Sequence, residues 1–504
     1  MAIFYSPLST PAERETRLKI MSGKLVPRRG RRLGAAWLFI CLGFFLARGF
    51  GLFAQTGVEL AAPVTVSADT RTADGRAVSE RDFRARHYLG VYLDGERRAG
   101  PLDPQGVEYI ELWIQIFWGE PTLAQHERFA ALGRELIKDR MDRHDAILLQ
   151  ALANEMLVPA DDKRLAMLEL IVRKYSNSTH SPYARFCALA VLAAELPQTS
   201  DRVRRLDTEG LSLLRRAIEI GDLPPSDQEI LADNLLINRW GGRLVRRRAK
   251  EVHAVFAEAG REWAWLATLL EGEVHRRKAW DARGQGWAST MTGQGWRVFE
   301  TENDLAELAF ERAWQLDATK PLAAARLIAV NMGQSDRAGM RLWFERALAA
   351  QIDHPQSWRA YKQALAPRWL GSREALLALA DAAIATGRFD SEAPRMALKI
   401  FDDYGEELGM PADHRVFGRE DVWPRVSRLF EGYLATDLPD TARARWQSDY
   451  ARAAHAAGRP EVTQAQLDAL GGRPIPPRMW DWNRDFSDMA QATASNKAPV
   501  LEIK

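Results

Sequence analysis

One short pattern recurs in this chain at a fixed interval, and it constrains the fold more than any other feature. Phe310, Glu311, Arg312, Ala313 and Pro321 return as Phe344, Glu345, Arg346, Ala347 and Pro355, 34 residues on at every position. A repeat of this length is one supersecondary unit that cannot bury its apolar face alone, so it stacks on its neighbours. Apolar residues around it recur at three- and four-residue spacing, the period of an amphipathic helix. The expectation is an all-α chain, an α-solenoid of antiparallel helix pairs.

The same spacing predicts further helices over 107–118, from Pro121 through Leu136, and over 145–157, 163–174 and 183–196. Beyond Pro355 it predicts helices from the Ser372 cap to Thr386, over 393–408, 421–435 and 441–457, and a short one ending at Leu470. Residues 83–105, with His87 and Tyr88, read as a short hairpin or loop. Glu271, Glu273 and His275 read as a solvated helix end.

The 504 residues carry 69 basic and 67 acidic side chains, a formal charge of +2, so no domain-wide field is available to hold nucleic acid. Two cysteines, Cys41 and Cys187, exclude a disulfide framework and a cysteine-ligated zinc site. Cys187, in a helical pattern, reads as a small core residue.

The N-terminus supplies an address. Residues 1–32 hold eight Lys/Arg against Glu13 and Glu15, and the apolar stretch at 33–55 follows, interrupted at Arg48. Basic residues before an apolar run keep that end in the cytoplasm, so the remainder is expected to be exported. The stretch reads as a transmembrane signal anchor or, starting from Met21, as a signal peptide cleaved near Ala54. The anticipated order is then a linker and irregular segment at 56–105, helical repeats at 106–278, a Gly/Trp-rich loop at 279–300, repeats at 301–470 and a Pro/Trp-containing tail at 471–504. The expected location is the bacterial inner membrane with the globular part in the periplasm, or the periplasm itself after cleavage.

The unit from Pro321 to His354, with the connector Gly333-Gln334-Ser335-Asp336 and with Phe344, Ala347 and Leu348 late in its second helix, resembles the tetratricopeptide repeat. That family's glycine in the first turn of the first helix is missing. Three further elements flank the repeat: Arg283-Gly284-Gln285-Gly286, Thr292-Gly293-Gln294-Gly295-Trp296 and Pro367-Arg368-Trp369-Leu370-Gly371-Ser372. Together they are similar to an uncharacterised bacterial domain family with R-G-x-G, T-x-x-G-W and P-x-W-x-G-S elements, and that resemblance implies no known activity.

Gly284-Gln285-Gly286-Trp287 recurs as Gly293-Gln294-Gly295-Trp296, and nine of the 17 tryptophans lie between Trp263 and Trp369. The glycine frame is neither a dinucleotide fingerprint nor a P-loop, so a phosphate cradle and a nucleotide cofactor are excluded at this position. Two readings stay open. Glycines allow a tight loop while tryptophans plug gaps between repeats; alternatively Trp287, Trp296 and Trp369 grip a glycan or peptide, with Arg283 or Arg373 binding a carboxylate. For an enzyme, His144-Asp145 with His87 or His126 is the best fragment, and it lacks partners in any recognisable metal or catalytic motif. The basic run at 243–250 reads as a solvated helix face, with anionic lipid or polymer as its alternative partner. The expectation is a non-catalytic interaction scaffold of the envelope without cofactor or metal, its partners being other envelope proteins or peptides and the membrane through 33–55. A glycan- or peptide-binding module comes second, and a hydrolase in the N-terminal half third.

Overall fold

The computed structural model describes residues 73–94, 103–119, 121–138, 143–154, 162–178, 180–284, 286, 290–369, 371–411 and 414–471. The apolar stretch at 33–55 and the tail from residue 472 lie outside them. Among the described residues there is no strand, and no helix is long and apolar enough to cross a membrane.

The helices in chain order are α1 Ala73–Arg84, α2 Pro104–Trp118, α3 Leu123–Lys138, α4 Ala146–Asn154, α5 Asp162–Ser176, α6 Pro182–Glu195, α7 Asp201–Glu219, α8 Gln228–Leu236, α9 Arg239–Glu258 and α10 Ala264–Arg283. They continue as α11 Gly293–Leu316, α12 Leu322–Gln334, α13 Arg337–Ala350, α14 Pro355–Ala364, α15 Arg373–Ala385, α16 Met396–Glu407, α17 Trp423–Leu434, α18 Asp440–Ala456 and α19 Pro460–Leu470. Their starts follow from local chemistry. Ser181, Ser200 and Ser372 each accept a hydrogen bond from the backbone N–H three residues on, at 3.1, 3.3 and 3.1 Å, which satisfies a donor the helix leaves unpaired.

Most helices pack on the next in sequence, α10 on α11 most extensively, then α6 on α7, α18 on α19 and α12 on α13. Several also reach the next but one, as α12 does α14 and α15 does α17. Consecutive helix pairs, each leaning on its neighbours, are the architecture the repeat demanded. Its chemistry explains how. Phe310 and Ala313, like Phe344 and Ala347, are buried, whereas Arg312, Glu345 and Arg346 face solvent. Positions three apart share a helix face, so each Phe-x-x-Ala forms a packing seam. Phe344 stacks on Tyr361 at 4.2 Å and meets Trp358 edge-on at 5.1 Å. Phe310 lies over Gly272 of α10, where a Cβ would stand 2.5 Å from its ring.

The large core runs from α6 to α18 without a break at the Gly/Trp segment. A second core gathers α2 to α5. Helix α6 serves both: Tyr183, Phe186, Cys187 and Ala190 belong to one, Ala184, Ala188 and Leu192 to the other. A helix apolar all round is what a position between two cores requires.

Three boundaries differ from expectation. Residues 83–94 are helical rather than a hairpin or loop: α1 passes into a π turn, Ala85–Gly90, and the segment buries Phe83 in the large core and Tyr88 and Tyr92 in the second core described above. The linker anticipated through 105 therefore gives way to helix at Ala73. Of the loop expected at 279–300, residues 279–283 belong to α10, and the second Gly-Gln-Gly-Trp is the first turn of the 24-residue α11.

The connector between α12 and α13 holds Ser335 in the left-handed region at φ 61°. That region favours glycine, so Ser335→Gly is expected to stabilise by a few tenths to about 1 kcal/mol, read as a higher urea midpoint. A lower midpoint would count against this account of the cap.

Candidate functional site

Helix α10 stops at Gly284, whose φ of +68° a side chain would strain, and its N–H bonds the Trp280 carbonyl at 3.0 Å. The chain returns at Thr292, whose hydroxyl accepts from Gly295 N–H at 3.0 Å and caps α11. These two helix ends bring one face of α10 against the start of α11. Across that junction Trp280 meets Phe299 at 5.8 Å and Trp369 at 5.8 Å, both edge-on, and Phe299 meets Trp296 at 5.9 Å.

The glycine elements converge on the same rings. Arg283 stands 5.4 Å from the Trp280 ring and 5.1 Å from that of Trp369, and donates to the carbonyls of Gly284 and Gly286 at 3.3 and 3.1 Å. A Cβ on Gly333 would sit 2.9 Å from Phe299, and one on Gly371 would collide with the Leu365 carbonyl. Separate stretches of sequence thus meet in one aromatic cluster.

Of the five residues singled out from sequence, Arg283 and Trp369 are in direct contact, and Trp296 joins them through Phe299 and Trp280. Trp296 is 36% exposed, whereas Trp369 is half-buried. Trp287 lies outside the described residues. Arg373 makes its contact elsewhere, donating to the Glu407 carbonyl between α15 and α16. Trp280 and Phe299 were missed although the signal was present: each lies three residues from a chosen position, Arg283 and Trp296, and so on the same helix face. The indole N–H groups of Trp280 and Trp369 are buried and have no acceptor among the described residues.

The histidine fragment is taken up by the fold. His144 Nε2 bonds the Leu136 carbonyl at 3.0 Å, while Asp145 accepts from Ile147 N–H at 2.8 Å and pairs with His180 at 2.9 Å. His87 lies between Asp222 and Asp227, 3.9 and 3.8 Å away, against the rings of Phe83 and Tyr183.

A second polar cluster overturns the solvated helix end. Glu273 is fully buried on α10, because position 273 faces α12 and Arg326, while Glu271 points outward to Arg312 at 2.8 Å. Glu273 Oε2 accepts from Arg276 Nη2 at 2.8 Å and lies 3.8 Å from Arg277 Nε, and Oε1 pairs with Arg326. Burial alone would raise its carboxyl; Arg276, Arg326 and Arg277 outweigh that and hold it at about 2. Burial lowers Arg277 and Arg326 from the ordinary guanidinium value; Glu273 opposes this, and repulsion from neighbouring arginines adds to it.

No family model matches this chain, and no curated protein matches it in sequence. What the described residues establish is an all-α protein whose helices pack in consecutive pairs.

Proposed function

We propose that the chain is a non-catalytic interaction scaffold of tetratricopeptide-like helix pairs. It is anchored in, or exported across, a bacterial inner membrane through residues 33–55 and engages other envelope proteins or peptides. The observation that carries this reading is the pair of Phe-x-x-Ala seams, 34 residues apart, buried in consecutively packed helices. Stacks of this kind leave long surfaces for partners and need no chemistry of their own. The engagement of His144 with Leu136, and of Asp145 with His180, weighs against a hydrolase there. Crosslinking on intact membranes, followed by reciprocal pull-down, tests the reading. The same envelope partner should be recovered from both sides, and a chain found only in the cytosol or only with itself would sink it.

Exposed Trp296 beside the Arg283, Trp280 and Trp369 cluster favours a second reading, a glycan- or peptide-binding module. Trp296→Ala should then weaken a peptide or glycan hit from an array at least tenfold, about 1.4 kcal/mol, with little change in melting temperature. Unchanged affinity would remove this version.

A further inference from the structure

The last described helix leaves a gap beside it. Helix α19 packs on α18 but not closely on α17, although α12 and α15 each reach the next helix but one. Between α17 and α19 a groove of about 550 Å³ opens, within the size range of binding pockets. Leu434, Ala435, Val462 and Ala465 line its sides, and Tyr450 of α18 lies between them. The Tyr450 ring is fixed by stacking on Phe430 at 4.9 Å, so this aromatic floor is preformed. Two carboxylates border the apolar surface, Glu431 on α17 and Glu461 on α19. Both are exposed; Glu431 accepts from Tyr450 Oη at 3.3 Å, and neither has a basic partner among the described residues.

The chain itself supplies a segment of matching chemistry. Gly471 ends α19 in the left-handed region at φ +58°, which turns the backbone off the helix axis. The sequence then runs Gly472-Arg473-Pro474-Ile475-Pro476-Pro477-Arg478-Met479-Trp480-Asp481-Trp482, outside the described residues. Reach is ample: the return from Leu470 to Glu461 is about 14 Å along the helix, and the stretch from Gly471 to Trp480 spans up to about 28 Å at polyproline spacing. Three prolines favour that extended form and carry no N–H to strand on an apolar surface, which lowers the cost of seating the segment. Ile475, Met479 and Trp480 offer apolar groups, and Arg473 and Arg478 offer the positive charge that Glu431 and Glu461 lack. Its tether beside the groove holds the segment at an effective concentration on the order of millimolar.

We propose that residues 473–482 dock back into the groove between α17 and α19, with Trp480 on the floor beside Tyr450 and Arg478 paired with Glu461. An aromatic-floored groove with an acidic border suits a proline-rich segment that carries an arginine, and here one chain provides both halves.

The test uses the purified full chain in mild detergent, with photoreactive benzoylphenylalanine in place of Trp480. Illumination at low protein concentration should give intramolecular crosslinks to residues 431–435, 450 or 461–466, read by mass spectrometry of the monomer. Glu461→Arg, at an exposed position, should lower their yield about threefold, the scale of an exposed ion pair, and adding Arg478→Glu should restore it. Crosslinks to other helices, a yield that Glu461→Arg leaves unchanged, or a double variant no better than the single one overturns the proposal. Crosslinking found only in a dimer assigns the groove to a second copy and overturns it equally. A second measurement needs no photoreactive group: Trp480→Ala in the otherwise native chain should raise amide exchange in α19 about threefold, and unchanged exchange there also overturns the proposal.

Discussion

Glu273→Gln is expected to destabilise the protein by about 3–5 kcal/mol, the cost of breaking a buried ion pair from one side. The amide keeps the shape but leaves Arg276, Arg277 and Arg326 facing one another without a counter-charge. Adding Arg326→Met should restore part of the loss, since the second change removes one of the stranded cations. The effect carries a pH signature. Glu273 ionises at about 2 in the folded chain against an ordinary 4.5, so its stabilisation is fully present above pH 4.5. It is lost as pH falls from there through about 2, because the unfolded state then takes up the proton first. The stability gap between the native chain and the variant, on the order of 3 kcal/mol from this source, should therefore close across that window. Urea unfolding at a series of pH values measures it. A variant within about 1 kcal/mol of the native chain at neutral pH would show that the arginines are not held by this carboxylate.

Phe344→Ala is expected to cost about 3–5 kcal/mol, because it empties a fully packed site between Tyr361 and Trp358. Leu342, two residues earlier and 45% exposed, supplies the control; its truncation should stay within about 0.5 kcal/mol. Stacked helix pairs couple mainly to their neighbours, so the damage should be local. Amide exchange should rise first in α12, α13 and α14 and least in α2 to α5, which share a different core. A uniform rise along the whole chain would instead mean that the stack unfolds as one unit.

Much of this fold was legible because helix starts, ends and buried faces are written in local sequence. Ser372 caps where a serine before an apolar run should, and the interval of 34 located both Phe-x-x-Ala seams. The hairpin reading of 83–94 failed where Tyr88 and Tyr92, residues common in strands, bury on a helix instead. Tertiary burial overrode propensity there. At the candidate site, sequence chose Arg283, Trp296 and Trp369, which do gather, and also Arg373, which does not, because proximity to Trp369 in the chain says nothing about which helix a side chain leans toward.

The sequence by itself determined the helical class, the repeat length and the Ser372 cap, because those depend on short-range spacing along the chain. Only the tertiary structure decided what lies between helices. It set Trp280 against Trp369, 89 residues apart in the chain, and turned Glu273 inward to Arg326 of α12 rather than outward beside Glu271. A charged residue two positions from an exposed one reads as solvated until a neighbouring helix supplies its counter-charge. Burial of a charge is a property of the pair, and the pair forms only in three dimensions.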